Sequence, residues 1–199
     1  FVQIASDKNL VDSLKIPGKT LEGYLFPNTY NFYWQQDIKS VIYRMLEEFK
    51  KTVFDSLKFV ETPQLPLKKL VTLASLIEKE AKKADELPLI SAVFYNRLWR
   101  DMPLQCDPTV SYALELNRPV KPADLQVNHP YNTYIYYGLP PGPICNPGKL
   151  SLKAVLTPAT VTYLYFVAKR DGYHIFSNSL DEHNQAIYNM LKEKKAGLN

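Results

Sequence analysis

The sequence predicts an α+β protein: helices packed on a small antiparallel sheet, with a long proline-rich loop region forming a cleft. Three observations carry this. Several stretches repeat their apolar residues at helical spacing. Two β-rich runs flank Asp171-Gly172, a hairpin signal. Most of the 15 prolines fall between Met102 and Pro147, where periodicity is lost.

The first twenty residues read as the tail of an upstream region, with a short helical piece around Ser6–Leu14. The turn "IPGKT" follows, which lacks the upstream glycine of a phosphate-binding loop. "EGYLFPNTYNFY" has strand-like aromatic content broken by Pro27 and Asn28, so one strand beyond the hairpin is expected. From Asp37 to Leu57, apolar residues at Ile38, Val41, Ile42, Met45, Phe49 and Val53 mark a helix. "LVTLASLIEKEAKKADE", Leu70 to Glu86, reads as a second. A third, "DELPLISAVFYNRLW", carries acidic residues and Pro88 in its first turn.

From Met102 to Pro147 composition predicts loop, and a loop this long in a compact domain is usually functional. "SLKAVLTPA" is a short helix, and "TYLYFVAKRDGYHIFS" the hairpin. Ser179 to Glu182 matches a capping box, opening a last helix through Lys195 into a solvated, lysine-rich end.

Hydrophobic content of 46% and charged content of 22% are those of a globular protein. The net charge of +4 comes without a dense Lys/Arg stripe, which argues against nucleic acid and fits approach to an anionic surface. No run of about 18 apolar residues is present. Cys106 and Cys145 have no zinc-ligand spacing. Neither metal nor cofactor is expected. His183 falls on the apolar side of the last helix and reads as a satisfied structural histidine; His174 is isolated.

One feature of the second helix needs an explanation. Helical residues advance about 100° each, so with Leu73 at zero, Leu76, Ile77 and Ala84 lie within about 60°, and Glu80 lies at roughly −20°. Glu78 lands about 140° away, on the solvent side. A glutamate on the inward face has two explanations. It snorkels out near the helix end, toward a partner such as Arg97, or it lines a cleft whose apolar walls keep it protonated as a general acid. Periodicity alone leaves both open.

The motifs "EGYLFPNTY", "ASLIEKEAKK", "AVFYNRL", "MPLQCDPTVSYAL", "YNTYIYYGLPPGPICNPG", "SLKAVLTPA", "YLYFVAKRDGYHIFS" and "EHN" occur in this order. The ordered set resembles the YceG-like (MltG) family of endolytic murein lytic transglycosylases, from Leu21 onward. The resemblance implies a catalytic domain over 21–199, with a LysM-like part and a membrane anchor belonging upstream. It implies cleavage of the MurNAc-β-1,4-GlcNAc bond of peptidoglycan with 1,6-anhydro-MurNAc ends. It also implies a place in the bacterial cell envelope, anchored in the inner membrane with the catalytic domain on the outer side. Proteins of wall synthesis are the implied partners. The second glutamate of E-K-E, here Glu80, is the implied catalytic residue, acting first as acid and then as base.

Candidate substrate-binding or positioning residues are Asn96 and Arg97 of "YNRL", Gln105 and Asp107 of "LQCDPT", Tyr131, Asn132, Thr133 and Tyr134 of "YNTY", and Asn146. Asp107 is the second carboxylate that a hydrolase would need. A cleft that binds glycan without cutting it is the third possibility. The chain departs from the family where Cys106 replaces a small hydroxyl residue and Asn28 an aspartate. Cys106 and Cys145 both lie in segments expected near the cleft; a disulfide is one expectation and two free thiols the other.

Overall fold

The computed structural model describes residues 1–195; residues 196–199 and the side chains of Lys194 and Lys195, part of the lysine-rich end, lie outside the described residues. Eight α-helices and one two-stranded sheet are described. The helices are α1 (Val2–Ala5), α2 (Lys8–Ser13), α3 (Ile38–Lys50), α4 (Leu67–Glu80), α5 (Leu87–Trp99), α6 (Asp107–Ala113), α7 (Lys149–Leu156) and α8 (Leu180–Lys195). Strands β1 (Tyr165–Ala168) and β2 (His174–Ser177) form the hairpin.

Helix α4 is the centre. Every residue from Leu70 to Ile77 is buried, so the helix is enclosed on all sides rather than amphipathic. α7 and α5 pack on it and on each other, while the hairpin lies between α5 and α8. Phe94 of α5 meets Phe166 of β1 edge-to-face at 6.2 Å. Caps set the helix starts: Asp37 accepts from the Ser40 N–H at 3.1 Å, and Ser179 from the Glu182 N–H at 3.2 Å. Glu182 reaches back to the Asn178 N–H at 2.8 Å, so the capping box forms one residue displaced from its usual return bond. After α3 the chain widens into a π-helical segment, Lys51–Ser56, which keeps Val53 in the core.

The first twenty residues share this core. Ala5 and Val11 are buried within it, and the Leu21 N–H donates to the Ala5 carbonyl at 2.9 Å.

The structure corrects the sequence reading in three places. Residues 22–33 form no strand, and β1 and β2 are the only strands among the described residues. Tyr24, Leu25 and Phe26 are aromatic and apolar because they fill the core. Gly23, at φ +88°, passes so close to Val71 and Pro143 that a Cβ would overlap both.

The second correction is the length of α4, which stops at Glu80 instead of running to Glu86. Ala81 turns extended (ψ 133°), and Ala84 sits in a separate 3₁₀ turn, Ala84–Glu86. Pro88 at the start of α5 has no N–H to continue a helix from α4, so the chain must bend before it. Third, the stretch 102–147 contains α6 and a 3₁₀ turn at Asp124–Gln126. The Asp107-Pro108 pair is a helix start, not a turn.

A buried hydrogen-bonded pair locks the hairpin to the entry of α5. Glu86 accepts from the His174 N–H and faces its ring Nδ1, each at 2.8 Å, with both side chains almost fully enclosed. The sequence had left His174 without a partner.

Candidate active site

Glu80 is the last residue of α4, one turn beyond Leu76 and Ile77 on the inward face. The residue is half-buried. Burial pushes its carboxyl up to about 7, the hydrogen bond from the Cys106 thiol pulls it down, Asp107 raises it and Arg97 lowers it. A helix C-terminus, with its partial negative charge, is also a poor place for a carboxylate.

The segment 103–107 forms the facing wall, held by Arg97 from α5. The buried Arg97 guanidinium donates to the carbonyls of Leu164 (2.6 Å), Pro103 and Leu104 (3.1 Å each), and to Gln105 Oε1 (3.1 Å). It also lies over the Tyr165 ring at 5.0 Å. Gln105 is held in the left-handed region, φ +51°, a costly conformation for a residue with a side chain. Its N–H donates to the Thr133 carbonyl at 3.0 Å. The Cys106 N–H donates to Thr133 Oγ1 at 3.0 Å, and its carbonyl accepts from Thr109 Oγ1 at 2.7 Å. Asp107, exposed at the start of α6, accepts from the Tyr134 hydroxyl at 2.5 Å. Arg97, Asp107, Cys106 and Tyr134 thus act electrostatically on Glu80, while Gln105 and Thr133 hold the wall that carries Cys106.

The other candidates hold backbone. Asn96 donates to the Val161 and Tyr163 carbonyls, both at 2.9 Å. Buried Asn132 donates to Leu125 and Val127, and accepts from the Tyr134 N–H at 2.9 Å. Asn146 accepts from the Gly23 and Leu25 N–H groups at 2.7 and 3.2 Å. Tyr131 packs on Tyr112 at 4.8 Å, and the Tyr112 hydroxyl donates to Glu22 at 2.5 Å. Asn28 sits in an exposed irregular segment, with its amide on Glu48 at 3.4 Å. A groove of about 930 Å³ opens beside Asp107, lined by Lys79, Tyr112, His129 and Tyr131 among others.

Two residues differ from their sequence reading, and a question left open about the cysteines is answered. Glu78 is exposed, but its carboxylate accepts from the Gly148 N–H (3.1 Å) and the Ser151 hydroxyl (2.5 Å), capping α7. His183 stacks on Tyr165 at 5.4 Å with its buried Nδ1 unpartnered, so it is not satisfied. Cys106 and Cys145 are free: the first meets Glu80, and the second donates to the Ser75 carbonyl at 3.5 Å. Among the described residues, no group of three or more His, Cys, Asp or Glu could hold a metal, and no helix is long and apolar enough to cross a membrane.

Glu78→Ala is expected to cost about 1 kcal/mol through the lost cap, lowering the melting temperature by roughly 2–4 °C with most activity kept. Calorimetry and turnover on one protein batch check both.

The sequence profile of the YceG-like family matches residues 2–189. The chain belongs to the YceG-like family. Two curated relatives carry the name endolytic murein transglycosylase. That of Bacillus subtilis is 42% identical over 176 residues, spanning 87% of this chain and 49% of the relative. That of Streptococcus pneumoniae strain D39 is 33% identical over 202 residues, spanning 96% of this chain and 37% of the relative. This YceG-like chain thus spans half or less of the length of these relatives. The crystal structure of a YceG-like protein from Listeria monocytogenes is similar at TM-score 0.82 and 37% identity, over 93% of this chain and 66% of that one.

Proposed function

We propose that this chain is the catalytic part of an endolytic peptidoglycan lytic transglycosylase. It cuts the MurNAc-β-1,4-GlcNAc bond within glycan strands and leaves 1,6-anhydro-MurNAc ends. The observation that carries the reading is a carboxyl held up near 7 by burial at the end of the central helix, beside an exposed Asp107 and an open groove. The relatives' names point the same way.

Glu80, protonated near neutral pH, donates its proton to the leaving glycosidic oxygen. As a carboxylate it then takes the proton of the MurNAc 6-hydroxyl, which closes onto C1. That attack is intramolecular, so proximity replaces an activated water. Asp107, held by Tyr134, stabilises the positive charge developing at the anomeric carbon. Arg97 and Gln105 hold the wall, Thr133 supports it, and Asn96, Asn132 and Asn146 fix the surrounding loops. Tyr131 offers an aromatic face to sugars in the groove. We assign 21–199 to the catalytic unit and residues 1–20 to the tail of an upstream region. The setting is the cell envelope, with the wall synthesis machinery as partner and a membrane anchor upstream.

A second reading, hydrolysis, has the exposed carboxylate of Asp107 in its favour, because a water there would have a base. Digestion of purified peptidoglycan followed by mass spectrometry separates the two. Anhydro-MurNAc ends are expected; reducing ends would move the assignment to a hydrolase, and no products from the intact protein would remove both.

A further inference from the structure

Three packed rings line the groove beside Asp107. Tyr112 of α6 lies 4.8 Å from Tyr131, and Tyr131 lies 5.8 Å from His129, the pairs tilted by 37° and 33°. All three residues are half-buried. The wall they form is tied down at several points. The Tyr112 hydroxyl donates to Glu22 at 2.5 Å, and the Tyr131 N–H donates to His129 Nδ1 at 3.3 Å. Gly142 comes so close that a Cβ there would lie 3.0 Å from the Tyr131 hydroxyl. Glu22 is itself held: its N–H donates to Thr20 Oγ1 at 3.2 Å, and the next N–H, of Gly23, to Asn146 at 2.7 Å. Glu22 has no ion pair among the described residues, so its carboxylate is committed to Tyr112, 90 positions along the chain.

We propose that the wall of Tyr112, Tyr131 and His129 is a glycan subsite beside the bond that is cut, and that Glu22 is the positioning residue that sets it. The inference rests on the reading of the chain as a peptidoglycan-cutting enzyme. The groove is lined by Asp107 and by Lys79, the neighbour of Glu80 in α4, and reaches Asn117 and Pro119 beyond α6. It therefore takes the part of a strand next to the scissile bond. A sugar presents a face of C–H groups and a rim of hydroxyls. Aromatic rings suit the first, while Ser111, Asn117 and Lys79 supply polar groups for the second. Rings already packed on one another lose little freedom when a ligand arrives, which favours binding. Neither Glu22 nor Tyr112 is among the groups that shift the Glu80 carboxyl, so loosening the wall weakens binding and leaves the acid as it is.

The test is kcat and KM on purified peptidoglycan, together with the ring signals of the wall in NMR spectra. Glu22→Ala and Tyr112→Phe each break the tie and are expected to raise KM about 2–10-fold, with kcat kept within about twofold. The double variant should be no worse than either single one, and Glu22→Gln, which keeps an acceptor, should restore KM. A tie that is structural only would lower the melting temperature and leave KM unchanged. That result, or a Gln variant as impaired as the Ala variant, overturns the proposal. Titrating the folded Glu80→Gln protein with peptide-free glycan strands leaves the wall intact. The ring signals of Tyr112, Tyr131 and His129 are expected to move, while that of Tyr33, 89% exposed and outside this groove, stays. This titration decides the matter if the wall variants do not fold, and wall signals that stay in place overturn the proposal. Glycan that moves these signals while the parent forms neither anhydro-MurNAc nor reducing ends would remove the enzyme reading and keep the subsite.

Discussion

Glu80→Gln is expected to lose about 10²–10⁴-fold in turnover and, above neutral pH, to be more stable than the parent. Both effects come from one carboxyl. In the proposed reaction it is the proton donor, and its burial is tolerable only while it is neutral. Its folded value, about 7, lies above the ordinary carboxylate value of 4.5 that it takes in the unfolded chain. Between these limits the folded state binds the extra proton, so stability is full below 4.5 and falls as pH rises toward 7. By pH 8 the loss is on the order of 3 kcal/mol, which the amide escapes. Melting temperatures compared at pH 4.5 and pH 8 should differ little at the first and by roughly 6–12 °C in favour of the variant at the second. In the parent, turnover should decline as pH rises past 7, as the acid form is lost. Equal melting temperatures at pH 8 would mean that the carboxyl is not held in the way described.

Glu86→Ala carries the largest expected loss of stability. The side chain is enclosed and holds both the backbone N–H and the ring of His174. Removing one partner of a buried pair costs about 3–5 kcal/mol, because the other is left desolvated and alone. The melting temperature should fall by roughly 6–20 °C. Amide exchange should quicken first in β1 and β2, whose hydrogen-bonded tie to the entry of α5 is lost. His174→Ala and the double variant complete a cycle; a double variant as damaged as the two singles summed would show that the pair is not coupled.

What was legible in the sequence depended on distance along it. The inward face of Glu80 follows from a period of 3.6 within one helix, and the hairpin from a two-residue turn signal; both are local. The role of Arg97 was not legible, since its short contact is to Leu164, 67 positions on. Glu78 reads as solvent-facing because Gly148 and Ser151, which it caps, lie 70 and 73 positions away. The end of α4 leaves no apolar mark of its own; Pro88 marks the start of α5 and so only indirectly the end of α4. The helix at Asp107 was hidden by the prolines around it. Ordered motifs named Gln105, Asp107 and Tyr134 as a group, but not the bond between Tyr134 and Asp107, 27 positions apart.

The separations that hid these contacts also set an order in time. Asn96 waits for Val161, Arg97 for Leu164, Glu86 for His174 and Gly23 for Asn146, at 65, 67, 88 and 123 positions respectively. Loops of such length close slowly and late, after the local helices have formed. A chain emerging from the ribosome therefore carries Glu80 before the contacts that hold Arg97, Glu86 and Asn96 in place can form. Arg97, which holds the wall facing Glu80, finds its Leu164 partner only after 67 further residues have been made.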